Sequence, residues 1–178
     1  MSIIGFIFSG CGNKGENQNQ TAGNKMQFNW NQELSVDDIP DFPFKGVIEG
    51  KEINYPYINF EKWHGSNDNV LRFSTKKPEQ PCGFIPNFQG IEIIRKGNTI
   101  DLGVYEKKHF TDDNMGFKVS YIIDAGGGNL SKSISEWNFA MKIDSVNWKT
   151  ISGKIAVCFN DSTKSWVAGR FSASVCNN

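Results

Sequence analysis

Trp137-Asn138-Phe139-Ala140-Met141-Lys142-Ile143 carries a large apolar side chain at every second position. The same period returns twice downstream. Ile151, Ile155, Val157 and Phe159 share one parity, and so do Val167, Phe171, Ala173 and Val175. A period of two buries one face of a strand and wets the other, as in antiparallel sheets. Upstream, Leu71, Phe73 and Thr75 alternate with Arg72 and Ser74, while Ile91 and Ile93 flank Glu92. After a turn at Lys96-Gly97-Asn98, Ile100, Leu102 and Val104 alternate with Asp101 and Gly103; Phe117, Val119, Tyr121 and Ile123 alternate with Lys118 and Ser120. Lys51–Tyr55 follows a turn at Glu49-Gly50, and Pro56 restricts it to a sheet edge. No segment sustains a 3.6-residue period over three turns. The expectation is an all-β domain over residues 46–178, an antiparallel β-sandwich with a flattened β-barrel as the alternative.

The last two strands can be placed in register. Val157 opposite Val167 and Gly153 opposite Phe171 keep every apolar side chain on one face, with the Phe171 ring over a glycine that has no side chain. Asn160–Lys164 is then the loop, and Cys158 shares the opposite face with Trp166. Cys176 falls opposite Trp148, ten positions from Cys158 along the hairpin. At about 3.3 Å per residue the two cysteines lie on the order of 30 Å apart, out of disulfide reach.

The chain has 178 residues, enough for one domain with a real core and an appendage. Lys+Arg and Asp+Glu both number 19. That balance argues against a nucleic-acid partner, which selects for a basic excess. No apolar run reaches the roughly 18–20 residues that span a bilayer as a helix. Phe at 14, Trp at 5 and Gly at 18 suit twisted strands and tight turns.

Ile3-Ile-Gly-Phe-Ile-Phe8 is a short apolar run that ends in Ser9-Gly10-Cys11. Residues 1–11 resemble the end of a bacterial lipoprotein signal, in which the cysteine becomes the lipidated first residue of the mature chain. The small Ser9-Gly10 pair matches the processing site. Phe8 stands where Leu is usual, and no basic residue precedes Ile3. The resemblance implies lipidation at Cys11, a membrane partner through that anchor, and location in the cell envelope, facing the periplasm or exterior. Residues 12–27 are rich in Gly, Asn, Gln, Lys and Thr, a flexible spacer that would lift a domain off a bilayer. Residues 28–45 form an aromatic lead-in (Phe28, Trp30, Phe42, Phe44) with a helical turn capped by Ser35 and ended by Pro40 and Pro43. Gly46-Val-Ile-Glu-Gly-Lys-Glu-Ile53, Ser152-Gly-Lys-Ile-Ala-Val157 and Ala168-Gly-Arg-Phe-Ser-Ala173 resemble the hairpins of small bacterial surface lipoproteins of unknown function with β-sandwich domains. Those motifs touch about a quarter of the chain and bring no functional residues with them.

With Cys11 assigned to lipid, the hairpin register leaves Cys82 as the partner of either Cys158 or Cys176. Cys82–Cys158 is the expected pair, with Cys176 free; reduced thiols in a cytosolic protein are the alternative. Zinc is not indicated, because Cys-x-x-Cys is missing and histidines number 2. His64 and His109 fall in turns with no nucleophile at a recognisable spacing and no Gly-x-Ser-x-Gly elbow. Asp112, Asp113, Asn114 and Asp124 offer oxygens to calcium, though a cation wants six to eight that converge. Ala125-Gly-Gly-Gly-Asn129 lacks the Gly-Lys-Ser/Thr ending of a phosphate loop and reads as a turn. No cofactor or catalytic motif emerges. Trp148 and Trp166 take the parity opposite to the core, so they are the ligand-binding candidates, joined by Tyr55 or Tyr57 if the ligand is a carbohydrate. The expected function is therefore a tethered, non-enzymatic binding or structural domain. A carbohydrate-binding module is the alternative, and a hydrolase using His64 or His109 ranks third.

Overall fold

A computed structural model describes residues 28–80, 82–83, 85–133 and 135–176. Cys11, the spacer 12–27 and the first residues of the chain lie outside the described residues. The lead-in runs to a 3-10 turn at Val36–Asp38, whose N-cap Ser35 accepts from the Asp37 amide while Asp38 accepts from the Ser35 amide. This is a capping box, and Pro40 follows where the helical geometry stops.

Eleven strands follow among the described residues: β1 Lys45–Ile48, β2 Lys51–Asn54, β3 Tyr57–Trp63, β4 Asp68–Ser74, β5 Gly90–Arg95, β6 Gly103–Lys107, β7 Phe117–Asp124, β8 Leu130–Lys132, β9 Trp137–Val146, β10 Thr150–Phe159 and β11 Trp166–Cys176. The all-β expectation holds. The strands form one strongly curled mixed sheet, a half-barrel, in the order β6-β9-β10-β11-β3-β4-β5-β7-β8, with β1 and β2 attached beside β11. Neighbours are antiparallel except β11 and β3, which run parallel. The curl brings the two halves of the sheet face to face over one core. Tyr121 meets Phe159 edge-on at 4.9 Å, Phe117 meets Phe139 at 4.9 Å, and Phe73 meets Phe171 at 5.5 Å.

The β10–β11 hairpin takes the register read from the sequence, with Gly153 opposite Phe171, Val157 opposite Val167 and Cys158 opposite Trp166. Glycine is required at Gly153 because a Cβ there would collide with the Lys142 carbonyl of β9, at the irregularity where β9 and β10 shift register. Gly169, at φ +131°, lets the lead-in backbone cross β11. Arg170 donates its amide to the Phe42 carbonyl at 2.7 Å and accepts from the Phe44 amide at 3.0 Å. So β1, this crossing and β3 share successive parts of one edge of β11.

Three features depart from the sequence reading. Leu102 and Val104 are exposed, and Tyr105 turns inward against Phe117 instead. The parity of β6 is reset at Gly103, whose φ of +140° other residues rarely adopt. β6 also pairs with β9 rather than with the preceding β5. Third, the outer face of β9–β11, which strict alternation leaves wet, is covered by the lead-in. Ala140, Ala156 and Ala168 stand side by side across those strands and make a flat floor for buried Leu34, Ile39 and Phe42. Asn138, fully buried, clamps the cover by donating from Nδ2 to the carbonyls of Asn31, Gln32 and Lys108 at 2.9–3.2 Å.

Candidate functional site

The outer face of β4 and β5 was expected to be wet, yet every residue of β4 is buried. A proline-interrupted segment between β4 and β5 folds back over it, closed at its base where the Thr75 amide and hydroxyl donate to the Gln89 carbonyl. Beneath lies an ionic cluster. Arg72 sits directly opposite Glu92 on β5, and Glu61 projects from β3 alongside. Arg72 Nη1 donates to Glu61 Oε2 at 2.9 Å and to the Gly83 carbonyl at 3.3 Å, while Nε reaches Glu92 Oε2 at 3.4 Å. The Gly83 amide donates to Glu61 Oε1 at 2.9 Å, and Lys132 Nζ approaches Glu92 Oε1 at 3.4 Å. Only 7% of the Arg72 side chain and 4% of that of Glu61 remain exposed. Buried charges of this kind persist only when paired and hydrogen-bonded, as these are.

A disulfide holds the cover in place. Cys82 joins Cys176, with Cα atoms 5.6 Å apart, and Cys176 lies beside Glu61 in the β11–β3 register. The crosslink thus fixes Gly83 over the Glu61 carboxylate. The expected Cys82–Cys158 pair is corrected. Cys158 sits at the far end of the β10–β11 hairpin, on the outer face beneath the lead-in, where it accepts weakly from the Asn31 amide. Its thiol is free, and burial pushes it up from 9.0 to about 12. In a Cys11→Ser chain, N-ethylmaleimide is expected to leave Cys158 unmodified until denaturant is added, and then to add one equivalent. Rapid labelling of the native protein would contradict the sealed lead-in.

Beside the ionic cluster opens a cavity of about 600 Å³. Arg72, Glu61 and Glu92 line its polar side, and Trp63, Phe88 and Ile85 are prominent on its apolar side. The volume falls within the roughly 300–1,000 Å³ of small-ligand sites. Arg72 also lies over the Trp63 ring, 5.4 Å from its centroid. Comparison with protein-family models, curated sequences and solved structures finds no match. The site is therefore read from its own chemistry.

The residues singled out from sequence are scattered. Trp148 is 71% exposed at the tip of the β9–β10 hairpin, with Lys149 Nζ 4.4 Å from its ring centroid. Trp166 is half-buried against Phe28, 5.1 Å away, at the other end of β10. The two are on the order of 30 Å apart along the strand and do not form one platform. Tyr55 is buried beside Phe44, and Tyr57 is partly exposed. His64 and His109 lie on exposed loops and line neither this cavity nor its neighbours. Asp112, Asp113 and Asn114 precede β7 while Asp124 ends it, so their oxygens do not converge. Asp112 accepts from the His109 amide and Asp124 from the Gly126 amide, as turn-forming side chains do. Among the described residues no group of acidic, His and Cys side chains is arranged to hold a metal ion. The alternation rule placed Arg72 and Glu92 on a solvent face, read no strand over Glu61, and missed the cavity. The usable signal was opposite charge at facing positions of neighbouring strands.

Proposed function

We propose that the protein is a membrane-tethered domain of the cell envelope that binds a small ligand, without transforming it, in the cavity beside Trp63. The observation that carries this reading is the Cys82–Cys176 crosslink over that cavity. Disulfides persist in oxidising compartments, which agrees with the export implied by the Ser9-Gly10-Cys11 motif. The cavity supplies what a binding module needs: apolar walls, and a few polar groups held rigidly by pairing and by the crosslink. Tethering is tested by growth of the native host with radioactive palmitate. Label is expected on the wild-type chain and lost in Cys11→Ser. Absence of label from wild type overturns the tether.

A further inference from the structure

We infer that the cavity beside Trp63 takes a neutral pyranose ring of a glycan. This names the ligand class for the binding reading above and rests on it. Charge comes first. Glu61 and Glu92 are matched by Arg72 and Lys132, so the polar wall has no net charge with which to hold a formal ion. An anionic ligand would meet two carboxylates, and a cationic one would meet a guanidinium and an ammonium.

Hydrogen bonding comes second. The wall offers fixed donors and acceptors side by side, Arg72 next to Glu92 and Glu61. Adjacent hydroxyls of a sugar are each both donor and acceptor, and they match such a mixed row. A purely aliphatic ligand would instead strip water from these groups and return no hydrogen bond.

The apolar lining completes the argument. Trp63 and Phe88 line the cavity together with Ile85 and Leu130. A pyranose has an apolar C–H face and a polar rim of hydroxyls. A cavity lined by both aromatic rings and charged pairs fits both at once. Both carboxylates already accept from Arg72, which suits holding hydroxyls rather than moving protons.

The test uses the full chain purified in mild detergent with its disulfide verified by mass spectrometry. It is applied to an array of neutral and acidic oligosaccharides, and the strongest neutral binder is then titrated by tryptophan fluorescence. A neutral glycan is expected to bind. Trp63→Ala and Glu92→Gln should each weaken it at least tenfold, Trp63→Phe should retain most affinity, and Trp148→Ala should leave it unchanged. Melting curves of each variant separate lost binding from lost fold. Binding confined to acidic glycans, no glycan bound by folded wild type, or neutral-glycan binding that survives both Trp63→Ala and Glu92→Gln overturns the assignment. The palmitate experiment reads the tether separately, so a labelled protein that ignores sugars overturns the ligand class alone.

Discussion

Replacing Cys82 and Cys176 together with alanine is expected to lower the free energy of unfolding by about 4 kcal/mol, read from urea melts. The crosslink spans a sequence separation of 94, so breaking it releases a long loop in the unfolded chain. Reducing the wild type should produce the same loss, which separates the crosslink from any packing of the cysteine side chains. The effect should also be local: with Gly83 no longer held over Glu61, limited proteolysis should cut near residue 80 before it cuts elsewhere. A loss under about 1 kcal/mol, or cleavage unchanged by reduction, would argue that Cys82 and Cys176 are not joined in the native protein.

The second large effect is expected at Arg72. Arg72→Met removes the guanidinium that bonds both Glu61 and Glu92, and with it the positive charge between these two carboxylates beneath the cover. Breaking a buried ion pair from one side costs about 3–5 kcal/mol, because the remaining charge is uncompensated. The triple variant Glu61→Gln, Arg72→Met, Glu92→Gln removes the charges together, and it should recover most of the loss. If Arg72→Met melts like wild type, the cluster is solvated rather than buried. If the triple variant is as weak as the single one, the loss comes from the shape of Arg72 and not from its charge. Because the triple variant keeps Trp63 and Phe88 but loses the polar wall, it should also fail to bind a glycan while remaining folded.

Much of the fold was legible because strands report themselves through alternation. The β10–β11 hairpin could be registered residue by residue, since one alignment that keeps Ile155, Val157 and Phe159 on the side of Val167 and Phe171 also sets the Phe171 ring opposite Gly153, and that register is the one formed. The Ser35 cap and the Glu49-Gly50 turn are equally local signals, and both are present, with Glu49 and Gly50 at positive φ. What local pattern cannot report is which strands are neighbours across long separations. The pairing of β6 with β9 and the parallel contact of β3 with β11 are set by how the whole sheet curls. The cysteine pairing failed for that reason. Cys82 was left with two possible partners, and the choice was fixed only when β11 came to lie against β3. The cavity was hidden by the same limitation. Arg72 between apolar Leu71 and Phe73 reads as a wet-face residue until a distant segment is known to fold over it.

The place of β11 bears on when the domain can fold. It is the last strand described, yet it joins β10 to β3 and also carries β1 and the lead-in crossing. A chain still lacking residues 166–176 would hold two separate half-sheets, each with a raw edge, and a detached β1–β2 hairpin, and Cys82 would lack Cys176 to lock it. Closure therefore waits until β11 has emerged. Slow, late assembly of this sort is the usual kinetic signature of long-range strand pairing. If the chain is exported as proposed, the same delay keeps it loose enough to be threaded through a narrow translocation channel before it locks on the far side.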